Sequence, residues 1–212
     1  MESFKVIFHL KSPAAVIDDI YLDSLISAAK CKEIVKENYF TNCKQVGDIS
    51  LIRQTLDPII ARQYDVYKCS KLFFKDEIGV ANYVKRFENK YDSYINTTKK
   101  IDTQRGFFKA AFNSISYYTD INPYAFCEGE FDDIKRLLTE NIFFIGKKAS
   151  QGYGLIDNIG FEEIEEFPWI YNNQLVRNIP AKYADEFECD YDYAEIPLIS
   201  PYWRKERELC IY

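Results

Sequence analysis

The most regular pattern in the chain lies at its start. From Phe4 to Lys11, Phe4, Val6, Phe8 and Leu10 alternate with Lys5, Ile7, His9 and Lys11. A period of two predicts a strand with one firmly buried face, and Ser12-Pro13 ends it. Leu22, Leu25, Ile26 and Ala29 then recur at helical spacing, with Asp18, Asp19 and Asp23 near the N-terminal end. That spacing predicts a helix from Leu22 to about Cys31. Residues 32–68 are less periodic, and Leu51 to Arg62 reads as a short helix or an irregular loop ending at Asp57-Pro58. Lys71 to Phe74 and Val80 to Phe87 read as strands joined by a turn at Glu77 to Gly79. Glu88 to Thr103 is polar and reads as a protruding loop or hairpin tip. Gly106 to Tyr118 is strand-like, Asp120 to Pro123 a turn, and Tyr124 to Glu128 a short strand. The clearest helix is Phe131 to Ile142, where Phe131, Ile134, Leu138 and Ile142 form a stripe widened by Leu137. Asp132 and Asp133 in its first turn suit the helix dipole. A glycine-punctuated stretch, Ile145 to Leu155, leads to a strand over Leu155 to Glu163. From Glu165 the chain is acidic and Tyr-rich, contains Pro168, Pro180, Pro197 and Pro201, and is expected to be irregular.

This order predicts an α+β fold of the ferredoxin-like (RRM-like) type, β-α-β-β-α-β. The expected domain spans 1–164, with 80–118 as an inserted strand-rich hairpin or thumb. Residues 165–212 form a C-terminal extension packed on the same domain. Such a fold places its helices on one sheet face and leaves the other free, an arrangement several RNA-binding modules use. A length of 212 residues suits this single domain. The 17 Tyr and 16 Phe against one Met mean that aromatic rings must fill much of the core, which a pleated sheet accommodates. A surface Tyr can also stack on a base.

A net charge of −6 taken alone argues against a nucleic-acid partner. The charge is uneven, however. Lys71 to Lys109 holds nine cations and five anions, a net of +4, whereas Asp157 to Glu195 holds eleven anions against Arg177 and Lys182, a net of −9. The middle of the chain can therefore face a polyanion. Six cysteines without C-x-x-C spacing, and a single His, argue against a structural zinc site. No metal or other cofactor is expected, and reduced thiols in a cytoplasmic protein are the simplest reading. Met1 to Leu10 has no long uncharged apolar run, and no stretch approaches the roughly 18 apolar residues of a membrane span. No membrane partner is expected.

The candidate binding element is residues 145–154, I-G-K-K-A-S-Q-G-Y-G. Gly146, Gly152 and Gly154 allow positive φ and close backbone approach. Lys147 and Lys148 supply charge, and Ser150 and Gln151 supply small polar donors. A loop of this kind can offer N–H and ammonium groups to phosphate oxygens, and Tyr153 can stack or pack. It is not a P-loop, lacking G-K-[ST] after a four-residue spacer. It is not a dinucleotide fingerprint, because it runs from helix to strand. Turn glycines in a plain helix-to-strand connection remain the alternative.

The same stretch, after the second helix, resembles the glycine-rich loop of the CRISPR-associated RAMP superfamily. F-K-V-I-F-H-L-K-S-P followed by I-Y-L-D-S-L-I-S-A-A resembles that superfamily's first strand and helix. I-S-P-Y-W (Ile199 to Trp203) resembles the closing segment of type IV Cas-five-like subunits, and T-Q-R-G-F-F-K-A (Thr103 to Ala110) their mid-chain strand. The resemblance implies a non-catalytic RNA-binding subunit of a ribonucleoprotein effector complex. Such a subunit holds the 5′ handle of the guide RNA and caps a filament of backbone RAMP subunits, with a large subunit as a further possible partner. Carried over, the RNA-binding positions are Gly146, Lys147, Lys148, Ser150, Gln151, Gly152, Tyr153 and Gly154. A thumb candidate adds Arg86, Lys90, Lys99, Lys100, Arg105 and Lys109, on charge more than on motif; ordinary surface lysines on a solvated loop are the alternative.

Two other functions stay open. Some members of the superfamily cut RNA, which would make His9 a general base; a strand-face His without chemistry is the plainer reading. Glu162, Glu163, Glu165 and Glu166, and Asp190 and Asp192, read as solvated acidic faces more readily than as a hydrolytic pair. Cys69 and Cys127 lack a neighbouring His in sequence, so thiol catalysis has little support. An acidic ferredoxin-like interaction protein that binds no RNA is the third reading.

Overall fold

The computed structural model describes residues 1–35, 56–75, 78–85, 109–198, 200, 202 and 207–212. In chain order its elements are β1 (Glu2–Leu10), α1 (Leu22–Val35), β2 (Arg62–Gln63), β3 (Val66–Tyr67), β4 (Ile78–Lys85), β5 (Ala111–Tyr118), β6 (Tyr124–Gly129), α2 (Phe131–Asn141), β7 (Ile156–Glu163), β8 (Ile170–Tyr171), β9 (Gln174–Leu175), β10 (Ile179–Pro180), β11 (Tyr193–Ile196) and β12 (Glu208–Ile211). Short 3-10 turns lie at Ala149–Gln151 and Ala181–Glu186. The protein is α+β and mostly strand. Among the described residues no helix is long and apolar enough to cross a membrane.

The alternation at the N-terminus builds the centre of the main sheet. Phe4, Val6, Phe8 and Leu10 all point into the core, and β1 pairs antiparallel with β6 on one side and β7 on the other. Both helices cover this face. Leu22, Ile26 and Ala29 of α1 and Ile134, Leu137 and Leu138 of α2 join the strand residues in one buried cluster. The helices are tied to each other by Arg136 and Glu33, and by Lys32, whose Nζ donates to the Asn141 carbonyl at 2.6 Å. Lys30 and Arg136 together hold the Glu33 carboxyl below its ordinary range. Packing this close makes even one methyl count. Ile134→Val is expected to cost about 0.5–1.5 kcal/mol, read as a lower urea midpoint at unchanged slope.

Along the outer edge of β6 runs Lys68 to Phe73. Ser70 N–H donates to the Phe126 carbonyl (2.9 Å), Glu128 N–H to Lys68 (2.9 Å) and Phe73 N–H to Tyr124 (2.7 Å). The edge is irregular because Ser70 Oγ, rather than a carbonyl, accepts the Phe126 N–H at 2.8 Å. Its other side is held by Leu22 N–H to Ser70 O and Leu72 N–H to Ile20 O. Here the sequence reading needs correction. Lys71 to Phe74 forms no hairpin with the next strand, because its backbone is already committed to β6 and to Ile20–Leu22. β4 pairs with β5 over its whole length, from Ile78 opposite Tyr118 to Lys85 opposite Ala111. Gly79 sits inside this ribbon and not in a turn. A Cβ there would meet the Tyr117 ring at 2.3 Å, so the glycine makes room for the ring.

Among its described residues the tail expected to be irregular also forms paired strands. β12 pairs between β10 and β11, and β8 and β9 form a hairpin. Asn172 and Asn173 at the hairpin turn have φ of 51° and 62°, the conformation that a two-residue hairpin turn demands and that Asn tolerates. Leu175, Ile179, Ala184, Phe187 and Ile211 make a second apolar cluster. A third one, Phe126 with Phe167 and Val176, covers part of the sheet face opposite the helices. That face is therefore not wholly free: β6 is roofed, while Lys5, Ile7 and His9 of β1 are only partly covered.

Candidate nucleic-acid interface

The glycine segment is a closed loop. Ile145 N–H donates to the Gly154 carbonyl at 2.9 Å, and Phe144 bridges to Leu155 at the neck. The loop grips the Ser12–Ala15 segment that follows β1. Gly154 N–H donates to Pro13 O (2.8 Å), Lys147 N–H to Ala15 O (2.7 Å), and Leu155 N–H to Ser12 Oγ (2.9 Å). The three glycines differ in what demands them. All have positive φ, but a Cβ at Gly146 would lie 2.4 Å from Ala15 O, and one at Gly154 would lie 1.9 Å from Ile145 O. Contact with their own chain accounts for these two. Around Gly152, with φ +85°, no atom of the described residues beyond its chain neighbours lies within 4 Å of the Cβ it lacks. It stands open at the crest, next to exposed Ser150 and Gln151.

Lys148 is left-handed (φ 65°, ψ 31°), and the right-handed 3-10 turn Ala149–Gln151 follows it. Alternation of backbone handedness is what gathers successive N–H groups into an anion-binding concavity. The Lys148 ammonium lies over the Tyr83 ring of β4, 4.3 Å from its centre. Tyr153 approaches Tyr117 of β5, ring centres 6.0 Å apart. The loop is thereby joined to the base of the ribbon. Lys147 lies 3.8 Å from the Asp18 carboxylate, both well exposed. Of the thumb residues, Lys109 is exposed beside the start of β5. Arg86, Lys90, Lys99, Lys100 and Arg105 lie outside the described residues.

The other candidates fall elsewhere. His9 Nδ1 meets Asn122 Oδ1 at 2.7 Å, and its Nε2 lies against Gly160. Glu162 is paired with Lys5 at 3.1 Å.

Sequence reasoning missed a buried polar clasp. Asp23, in the first turn of α1, accepts a hydrogen bond from the Tyr202 hydroxyl (2.7 and 2.8 Å to its two oxygens). Tyr202 in turn accepts from Arg177 at 3.0 Å. Arg177 also donates to the carbonyls of Tyr67, Cys69 (3.0 Å) and Leu198 (2.9 Å), and its guanidinium faces the Tyr21 ring. The Asp23 and Arg177 side chains are 0% and 1% exposed and 3.7 Å apart. Burial pushes the Asp23 carboxyl above its ordinary range, against the pull of Arg177 and Tyr202. A visible signal did exist: Arg177 is one of two cations in a strongly acidic segment. The clasp joins Asp23 of the first helix to Tyr202 of the closing segment, from two stretches that looked like separate motifs.

These features define an α+β protein whose glycine loop is clamped between the end of its first strand and a two-stranded ribbon. The chain matches the family model described as CRISPR type IV associated protein Csf3 over residues 2–212, and it belongs to that family. No curated protein matches it.

Proposed function

We propose that this type IV CRISPR-associated protein is a non-catalytic RNA-binding subunit of a cytoplasmic ribonucleoprotein, holding the 5′ handle of the guide RNA and capping the filament of backbone subunits. The carrying observation is the loop crest: Ser150, Gln151 and an unobstructed Gly152 stand exposed, with Lys147 and Lys148 beside them and two ribbon tyrosines at their flank. Phosphate would meet the crest, and Arg86, Lys90, Lys99, Lys100, Arg105 and Lys109 would extend the contact along the ribbon. The sheet is read as ferredoxin-like. In support, the antiparallel order β7-β1-β6 continues into Lys68–Phe73, with both helices on one face, and the fourth strand is broken at Ser70. A nuclease reading draws less support, since Asn122 and a glycine are poor proton-transfer partners for His9.

The test is fluorescence anisotropy of the protein with labelled handle-length RNA across salt, alone and with its partner subunits. Binding should weaken with salt and leave the RNA intact. In Lys147→Ala/Lys148→Ala the slope of log K against log salt should shrink by about 1.4, the loss of two single-strand phosphate contacts. An unchanged slope, or no binding even with partners, would remove the loop from the RNA path.

A further inference from the structure

Five described cysteines are free thiols: Cys31, Cys69, Cys127, Cys189 and Cys210. Two of them face each other. Cys69, on the irregular edge, is bridged to Cys127 of β6, and their Sγ atoms are 3.3 Å apart although 58 positions separate them in sequence. The flanking hydrogen bonds run Ser70 N–H to Phe126 O and Glu128 N–H to Lys68 O. That pattern makes Cys69 and Cys127 a non-hydrogen-bonded cross-strand pair, the kind with the closer Cα spacing of about 4.5 Å. Disulfides span Cα separations of about 4.4–6.8 Å, so closing the bond requires the sulfurs to approach without a change of register.

We infer that Cys69 and Cys127 are a reversible dithiol–disulfide site, oxidised by small disulfides of the glutathione class, and that the bond locks the Lys68–Phe73 edge onto β6. The chemistry is two exchanges. One cysteine, as thiolate, attacks the oxidant's S–S bond and releases one thiol. The second thiolate then attacks the mixed disulfide and releases the other. Two protons and two electrons leave the protein, and one oxidant disulfide becomes two thiols. Both cysteines are fully buried, and burial together with each other's proximity raises the Cys69 thiol well above its ordinary range. Attack therefore waits on the edge parting from β6. Oxidation is slow in the folded protein, and the fast-reacting thiols lie elsewhere. What favours the pair is its equilibrium position, because its two sulfurs are already held at each other. The bond would act on function through what the edge carries: Lys71, ion-paired to Asp19 at 3.4 Å, and the Cys69 carbonyl that receives Arg177.

The experiment equilibrates the full chain in glutathione buffers from reduced to oxidised. One series starts folded; the other refolds from urea in the same buffer, so that burial withholds neither thiol. Remaining thiols are alkylated at low pH and the chain is mapped by mass spectrometry. The expected result is a Cys69–Cys127 link as the dominant disulfide at equilibrium in both series, reversed by dithiothreitol. The oxidised form should melt higher by roughly 5 °C or more, as a long closed loop implies. Cys127→Ser should abolish that rise, and the wild-type map stands by itself if this variant fails to fold. Recovery of Cys69 and Cys127 as thiols after refolding in the oxidised buffer, or as separate glutathione adducts, would overturn the inference. So would a link that lowers the melting temperature.

Discussion

Arg177→Met should lower the stability of the protein by about 3–5 kcal/mol, the usual cost of removing one partner of a buried ion pair. Met fills much of the same volume, so lost packing is a small part of the effect. The cost comes from Asp23, left fully buried with the Tyr202 hydroxyl as its main remaining donor, and from carbonyls of Tyr67, Cys69 and Leu198 deprived of the guanidinium. The pH dependence identifies the cause. Without Arg177, burial alone raises the Asp23 pKa further, and the folded state then holds a proton that the unfolded chain releases. A carboxyl raised in the folded state contributes its full penalty above the folded pKa, and that penalty falls away as pH drops from the folded pKa towards the unfolded one. The deficit of the variant against the wild type should thus shrink as pH falls from 7 towards 5, when most destabilised variants worsen. Urea titrations at both pH values read this directly, and Asp23→Asn/Arg177→Met should regain part of the loss. A deficit independent of pH would mean that Asp23 is not the group left stranded.

That clasp shows where the sequence stopped being legible. β1 and both helices were readable because each carries one buried face with a clean period: Phe4, Val6, Phe8 and Leu10 on the strand, Leu22, Ile26 and Ala29 on the first helix, Ile134 and Leu138 on the second. The edge at Lys68–Phe73 was legible only as a strand at Lys71–Phe74 and not in its pairing with β6, which depends on a serine hydroxyl standing in for a carbonyl. β2, β3 and β8–β10 are two residues each, too short to show any alternation. Their existence rests on turns such as Asn172-Asn173 and on partners far away in sequence. The glycine loop was legible as a unit, but its glycines looked equivalent. The distinction between Gly154, packed on its own chain, and Gly152, which touches none of the described residues beyond its chain neighbours, is a property of the folded backbone. The resemblance in the closing segment likewise pointed to Tyr202 without revealing that its partner is Asp23.

That distinction gives the second large prediction. Gly154→Val should disrupt the loop itself. Its Cβ would fall 1.9 Å from the Ile145 carbonyl, and φ of +65° disfavours a β-branched residue in addition. The neck would have to open, at a cost of about 3 kcal/mol or more, visible as a lower melting temperature with or without RNA. Gly152→Val meets only the conformational penalty of about 1–2 kcal/mol for a left-handed L-residue, because none of the described residues beyond its chain neighbours crowds the position. The protein should stay folded with a small drop in melting temperature. RNA is a different matter. If the handle's phosphate approaches the crest of the loop, two methyl groups stand where it must pass, and affinity should fall by at least about tenfold. Lys148→Ala, by contrast, subtracts one cation from an electrostatic sum and should lower the salt slope by about one or less. Measuring both together separates the outcomes. Equal RNA retention by Gly152→Val and Lys148→Ala, with both proteins folded, would show that the open glycine is a turn residue and that RNA passes the loop by.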